Sequence, residues 1–399
     1  MNPNISIVIP TYNCRENLKE LMDSLTHQLL KPSEVLVVDS SSDDAIQAYV
    51  NSLNTEFPVT FIRSAKNYPG EKRNEGAEAA SSEWLAFLDV GTIPRQYWLQ
   101  TNWNLAQEYG LDIIFGSTQY QALNQFQMLI RAATYGNIAH ETTPGTLVKT
   151  QIFIQSGGFI EGIRAGDDQE WRLQLRDISK KYKIPDVITL DYSSLPNSII
   201  PMQKKYFIYY LHGAKVRAQR RVRDIYLSAL LVFASLIVVK WNYLIGGWDS
   251  NPFFIPNITK IYLLSLMILL LTYIIVRSFF KSADQFNIFH WFSKLFLFFI
   301  ALFTVYFWNF YVADWQVDSL YFIPHITKIY IASVLIASFL YRGIFLPLRL
   351  GITSKFLFPK NWMIIGFIGL TLDVIKFPGI LLGILLSPLQ RNLSNSEKN

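Results

Sequence analysis

Four carboxylates and one guanidinium stand at points where the chain changes character: Asp39, Asp89, Asp167, Asp168 and Arg73. Asp89 closes an apolar run, Trp84 to Leu88, inside the stretch EWLAFLDVGTIP. A run apolar throughout suits a strand covered on both faces, and Gly91 and Pro94 forbid its continuing as a helix. Asp89 is therefore expected at the carboxyl end of a buried parallel strand, the edge at which open α/β sheets bind ligands. A carboxylate there can hold a divalent metal against a diphosphate, or it can simply open a turn. Arg73 follows Gly70 in a turn entering a helix, where backbone N–H groups and a guanidinium could together meet phosphate oxygens; the alternative is a solvated helix residue. Asp39 ends a second strand, and Asp167 and Asp168 precede a helix whose macrodipole favours acids as caps.

The elements that must position these residues alternate between strand and helix. Strands are expected at Ile5 to Pro10, Glu34 to Val38, Val59 to Arg63, the run ending at Asp89, and Asp112 to Phe115. Between them, Leu18, Leu21, Met22 and Leu25 recur at helical spacing, SSSDD can cap a helix from Ala45 to Leu53, YPGEKRNEG leads into a short helix to Ala80, and Tyr97 to Tyr109 is amphipathic. This is the pattern of a doubly wound, Rossmann-like α/β sheet. Residues 119–144 carry no clear period; Met128, Leu129, Ile130 and Arg131 suggest a helix or loop whose partner the sequence does not reveal.

Composition divides the 399 residues near position 203: the first part carries a net charge of −7 and the remainder +13, within the total of +6. The basic excess belongs to the hydrophobic half, where Lys and Arg flank apolar segments, so no nucleic-acid partner follows from it. Cys14 is the single cysteine, which excludes an internal disulfide, and the five histidines lack metal-site spacing. Nothing at the start reads as a signal peptide, so the first half is expected to be cytoplasmic. The organisation expected is an α/β domain over 1–203, a basic amphipathic interface helix over 204–224, an α-helical transmembrane domain over 225–386 and a polar tail over 387–399. Spans are expected at Ile225 to Ile245, Ile258 to Phe280, Trp291 to Val312 and Ile326 to Leu346. The stretches beginning at Trp241 and Trp308 repeat each other, as in a duplicated two-helix hairpin, with Trp241, Trp248, Trp308 and Trp315 as interfacial anchors or glycan contacts. Asn361 to Leu386, interrupted by Asp373, Lys376 and Pro378-Gly379, is a fifth span or a re-entrant or interfacial hairpin. These features place the protein in the plasma or inner membrane as a multi-pass protein, in contact with membrane lipids.

Taken in order, IPTYN, VVDSSSDD and KRNEGAEAASSEWLAFLDVGTIP resemble the successive motifs of glycosyltransferase family 2, which has a GT-A fold, and TLVKTQIFIQSGGFIEGIRAGDDQEWRLQLR resembles its acceptor-side segment. The resemblance implies a nucleotide-sugar donor, UDP being the commonest, with its base held by Pro10, Thr11, Tyr12, Asn13 and Asp39 beside Ser41. It implies that Gly70, Arg73 and Asp89 serve the donor diphosphate, with Asp89 as the ligand of Mg or Mn. Gly158, Asp167, Trp171 and Arg172 fall on the acceptor side, and Asp168 aligns with the catalytic base. The family usually shows Asp-X-Asp where this chain has Asp89-Val90-Gly91, so one metal ligand is missing. YYLHGAKVRA resembles the Tyr-Gly-rich-Arg segment that follows the catalytic domain in exopolysaccharide transferases, but the Gln-X-X-Arg-Trp motif of processive synthases is absent. The implied activity is inverting transfer to a lipid-linked or growing glycan acceptor at the cytoplasmic face. The alternatives are a polyprenyl-phosphate glycosyltransferase and a catalytically weak scaffold bound to polysaccharide-assembly proteins. A sugar nucleotidyltransferase is disfavoured by the lack of a Gly-rich phosphate signature near residue 10.

Overall fold

The computed structural model describes residues 3–244 and 336–396, with a few isolated positions between. It divides into one compact unit formed by Met1–Gln219 with Phe339–Asn399, and a second formed by Arg220–Ser338. In the first unit the chain runs β1 (Ile5–Thr11), α1 (Arg15–Thr26), β2 (Glu34–Asp39), α2 (Ala45–Asn51), β3 (Val59–Arg63), α3 (Pro69–Ala79), β4 (Trp84–Phe87), β5 (Thr92–Pro94), α4 (Trp98–Glu108), β6 (Ile113–Tyr120), α5 (Gln125–Thr134), β7 (His140–Lys149), α6 (Thr150–Gln155), α7 (Asp167–Ile178), β8 (Tyr182–Lys183), β9 (Leu190–Tyr192) and α8 (Ile199–Gly213). In the second unit α9 covers Arg220–Leu244, and the first unit closes with α10, Asn361–Ser396.

The strands form one sheet in the order β3-β2-β1-β4-β7-β6-β9-β5, with β8 beside β6. The first four are parallel, as the alternation of strand and helix predicts. The sheet is not parallel throughout, because β7 pairs antiparallel with both β4 and β6, and β5 pairs antiparallel with β9. The parallel half is covered on both faces. Ile5, Ile7 and Ile9 pack with Leu18, Leu21, Met22 and Leu25 of α1 on one side, and Val8, Val38 and Phe87 pack with Phe159 and Trp171 on the other. That two-sided burial is why these strands read as unbroken apolar runs. A third cluster joins Leu129, Ile130, Ala132 and Ala133 of α5 to Met202 of α8 and to Ile365, Ile368 and Leu372 of α10. The illegible stretch 119–144 thus holds a helix whose partner lies more than two hundred residues away in sequence.

Several expectations change in the structure. The amphipathic segment 204–224 is not one helix: α8 begins at Ile199 and ends at Gly213, a 3₁₀ turn follows at Arg217–Gln219, and α9 starts at Arg220. The proposed common face from Phe207 to Val222 is therefore broken. Within α8, Lys205, Tyr206, Tyr209 and Tyr210 line a cleft. Residues Asn361–Leu386 lie in the unbroken helix α10 and do not form a hairpin. Among the described residues this is the helix long and apolar enough to cross a membrane by length and composition. Its interrupting charges are paired: Arg342 donates two hydrogen bonds to Asp373, at 3.0 and 2.7 Å, and Lys376 reaches the same carboxylate at 3.0 Å. Of the other expected spans, Ile225 to Ile245 falls on α9 up to Leu244. Ile258 to Phe280 lies largely outside the described residues, Ile326 to Leu346 is described only from residue 336 onward, where it is helical, and Trp291 to Val312 and the second hairpin repeat lie wholly outside them.

Candidate active site

A cleft of about 530 Å³ opens where the carboxyl end of β4 meets the start of α7 and the exposed side of β6 and α8. Arg73, Asp89, Asp167, Asp168 and Arg172 all line it, so residues spread over a hundred positions of sequence converge there. The remaining expected donor residues, Pro10 to Asn13, Asp39, Ser41 and Gly70, are not part of that lining.

Arg73 organises the converging carboxylates. It does not lie in a turn as expected: α3 begins at Pro69, which places Arg73 in helical backbone with its side chain buried. One terminal nitrogen donates to Asp89 at 2.5 Å and the other to Asp167 at 3.1 Å. Burial works against the guanidinium charge, but Asp89 and Asp167 more than offset it and raise Arg73 above its ordinary value. Gly70 permits this approach, because a Cβ there would lie 2.8 Å from Asp167 Oδ2 and 3.1 Å from Phe159 Cβ. The Phe159 ring packs under the guanidinium at 5.1 Å. The Phe159 backbone is held in turn by Asn74, whose side chain donates to its carbonyl at 2.9 Å and accepts from its N–H at 2.8 Å. Asn74 is a positioning residue that sequence reasoning missed; its place in KRNEG, one residue after Arg73, was the available signal.

The neighbouring acids of α7 differ in environment. Gly166 precedes the helix with φ 90°, which puts both acids in the first turn, and neither side chain caps it. Asp167 is buried against Arg73; burial pushes its carboxyl up, Arg73 pulls it down, Asp168 and Asp89 push it up again, and it sits at about 6. Asp168 is half-buried at the cleft wall, and among the described residues no donor reaches either of its carboxylate oxygens. Its backbone is fixed by Thr143, whose hydroxyl donates to the Asp168 carbonyl at 3.2 Å. Trp171 does not face the acceptor side: it is fully buried, stacks near Phe159 at 4.3 Å and donates to Ser156 at 3.1 Å. Arg172 lines the cleft and donates to the Glu141 carbonyl. Gly158, with φ 72°, supplies the turn against Asn74 and is a backbone device.

Asp89 lies two residues past the end of β4, in a turn closed by Thr92, whose N–H donates to the Asp89 carbonyl at 3.0 Å. Its Oδ1 is engaged by Arg73, no described donor reaches Oδ2, and the side chain is 33 % exposed. Among the described residues no group of three or more His, Cys, Asp or Glu side chains could hold a metal. One protein oxygen with diphosphate oxygens completing the shell is nevertheless a usual arrangement for Mg²⁺, so Asp89 fits such an ion only together with a substrate.

The residues expected to hold the base lie together at the carboxyl ends of β1 and β2, beside β3, where Thr11, Asp39 and Arg63 share one register line. Asp39 is fully buried and accepts from Thr11 at 2.9 Å, from the Ser41 hydroxyl at 2.7 Å, from the Ser41 N–H at 3.1 Å and from Arg63 at 3.2 Å. With four donors its oxygens are already engaged, so a base N–H must displace one of them to be read directly. Pro10 is buried in β1, and Asn13, at φ 48°, donates its N–H to Ser41 at 2.7 Å. Tyr12 stands exposed above this cluster with the Lys72 ammonium 5.8 Å from its ring centre. Lys72, which sequence reasoning passed over, donates to the Thr11 carbonyl at 2.7 Å and to Ser40 at 2.9 Å, and burial lowers its basicity.

Residues 6–165 match the family model described as Glycosyl transferase family 2. The chain is 27 % identical over 188 residues to glycosyltransferase AglE of Haloferax volcanii, covering 44 % of this chain and 62 % of that protein. It is 30 % identical over 90 residues to the GalNAc(5)-diNAcBac-PP-undecaprenol beta-1,3-glucosyltransferase of Campylobacter jejuni, covering 22 % of this chain and 29 % of that one. It thus spans less than two thirds of either relative. Staphylococcus aureus TarS residues 1–349, solved in complex with UDP-GlcNAc, align with 54 % of this chain and 67 % of that one, at 18 % identity and a TM-score of 0.39.

Proposed function

We propose that this chain, whose residues 6–165 are a glycosyltransferase family 2 domain of the GT-A type, is an inverting glycosyltransferase acting at the cytoplasmic face of a membrane. It moves a sugar from a nucleoside diphosphate donor, most simply a UDP-sugar, to a hydroxyl of a lipid-linked or polysaccharide acceptor. The observation that carries this reading is the division of labour at the start of α7: Asp167 is committed to Arg73, while Asp168 faces the same cleft with no described donor on its carboxylate. Asp168 takes the acceptor proton as the acceptor oxygen bonds to the anomeric carbon, and the bond from that carbon to the diphosphate breaks on the opposite face. Inversion follows from that geometry, and the oxocarbenium character of the transition state requires stabilisation of the departing charge.

Arg73 lies where it can meet that charge, with its Nε buried and without a described partner. A divalent ion held by Asp89 and the donor phosphates would supply further neutralisation of the leaving group. The cluster of Thr11, Tyr12, Asn13, Asp39 and Ser41 is assigned to the base. A lipid-linked acceptor is supported by the undecaprenol-linked acceptor named for the Campylobacter relative and by α10, whose apolar length suits a span.

The test has two parts. In detergent-purified protein, one of a panel of UDP-, GDP- and dTDP-sugars should raise the melting temperature, and Asp39→Ala should abolish the shift. Ligand at 100 times its Kd contributes about 2.7 kcal/mol to the folded state. Asp168→Asn should retain that donor-induced shift while losing transfer by about 10²- to 10⁴-fold. Transfer surviving in Asp168→Asn would favour the polyprenyl-phosphate reading, because a phosphate acceptor needs no base. A folded protein that no donor stabilises would favour the scaffold.

A further inference from the structure

Beyond the carboxylates, the cleft contains a second chemical environment built from tyrosine. Tyr120 of β6 stacks on Tyr135 at 3.6 Å with the rings 7° from parallel, and Tyr192, Tyr206, Tyr209 and Tyr210 line the same space. The Lys205 side chain projects among them. Its ammonium lies 3.4 Å from the Tyr192 hydroxyl and faces the rings of Tyr192 and Tyr209 at 5.4 and 5.6 Å. No carboxylate among the described residues forms an ion pair with it.

This differs from the other described cations of the cleft that are held by carboxylates. Arg73 is shared between Asp89 and Asp167, and Arg172 is placed against Glu141. Nearby, Lys376 stacks 5.2 Å from the outer Tyr210 ring but is tied to Asp373 at 3.0 Å. Arg164 also lines the cleft with no carboxylate partner among the described residues but is exposed to solvent, whereas Lys205 is half-buried, and ring faces and one phenol are weak substitutes for a counter-ion. The Lys205 environment nevertheless keeps it charged: burial opposes the charge, and Tyr192, Tyr209 and Tyr135 more than offset that and raise it above its ordinary value. A half-buried ammonium so placed is a receptor for an anion that arrives with a ligand. Lys205 and these tyrosines share the cleft with Arg73 and Asp89, and Asp168 is close enough that its charge contributes to the raised phenol of Tyr209.

We infer that Lys205 and the tyrosines around it receive a phosphate group carried by the acceptor, which makes the acceptor a phosphate-bearing glycan or lipid and not a neutral sugar chain. The inference rests on the glycosyltransferase reading of the same cleft. The phosphate sits on Lys205 and the phenol hydroxyls, and the sugar it carries can lie against the tyrosine faces, which presents its hydroxyl to Asp168. Either a polyprenyl phosphate or a polyol phosphate chain offers this chemistry.

The experiment measures binding by equilibrium dialysis of three probes: farnesyl phosphate, sn-glycerol 3-phosphate and the neutral alcohol farnesol. Each is applied to the detergent-solubilised full chain and to Lys205→Met, Lys205→Gln and Lys205→Arg. Loss of one charge-assisted hydrogen bond should weaken phosphate binding about 10- to 100-fold in Lys205→Met and Lys205→Gln, with Lys205→Arg retaining most of it. The donor-induced melting shift should be the same in all four proteins, which establishes that the neutral variants are folded. Preference for farnesyl phosphate identifies a lipid source, and equal binding of glycerol phosphate identifies a soluble one. Phosphate binding that is unchanged in both neutral variants, absent from the wild type, or matched by farnesol overturns the inference. Failure of the underlying reading is distinct: no donor would stabilise the wild type, whatever the phosphate probes do.

Discussion

A single guanidinium holds two carboxylates in the cleft, and the consequences are measurable at that residue. Arg73→Met leaves Asp89 and Asp167 without their shared cation, and breaking a buried pair in this way costs about 3–5 kcal/mol, readable as a lower urea midpoint. Arg73→Lys should recover only part of this, because an ammonium cannot span two acids as a planar fork does. Asp167 gives a pH prediction. Its carboxyl sits at about 6 against an ordinary 3.8, so the folded state binds the proton more tightly than the unfolded state. The stabilisation from that proton is complete below the unfolded value and is lost as pH rises through about 6, which amounts to a few kcal/mol on the order of 1.4 per pKa unit. Asp167→Asn should flatten the stability profile between pH 4 and pH 6, on the order of that window. An unchanged slope would remove Asp167 as its source.

At the level of elements, the α/β half depends on a helix from the other end of the chain. Helix α10 packs on α5 through Leu129 and Ile130, and on α8 through glycines: a Cβ on Gly383 would lie 2.2 Å from the Leu211 carbonyl oxygen, and one on Gly379 would lie 2.9 Å from that of Phe207. Small residues at such spacing let helix backbones approach closely, as they do in membrane helix pairs. Gly383→Leu should therefore separate α8 from α10. Because α8 carries Lys205 and the cleft residues Tyr206, Tyr209 and Tyr210, we expect weaker acceptor binding with an unaltered donor-induced melting shift. Loss of both would mean that the substitution disrupts the whole unit. The 3₁₀ turn that follows the C-terminal end of α8 is tied to α7, since buried Glu170 accepts from Arg217 and from the Ala218 N–H at 2.9 Å. The helix that carries the acids and the helix that carries the tyrosines are thus positioned against each other by a carboxylate two residues past Asp168.

For the whole molecule, membrane residence is a proposal that rests on the apolar C-terminal half. The described surface of α10 exposes Met363, Phe367, Val374 and Leu385, while Asp373 faces Arg342 and Lys376. That combination, apolar outside and charge satisfied inside, suits a helix in lipid. The full chain should remain in the membrane pellet after an alkaline carbonate wash; release into the supernatant would refute the span. The sequence by itself determined the parallel core, because strands buried on both faces must be apolar throughout and helices between them must carry a 3.6-residue period. It also determined which acids end those strands, since Gly, Pro and Asp mark the chain where regular structure stops. Only the tertiary structure decided that α5 pairs with α10, that Trp171 is core, that Asp39 is already surrounded by donors and that α8 turns Lys205 into the cleft. Each of those depends on contacts between residues far apart in sequence, and a local pattern records that a face is apolar or a charge is present without recording what lies against it.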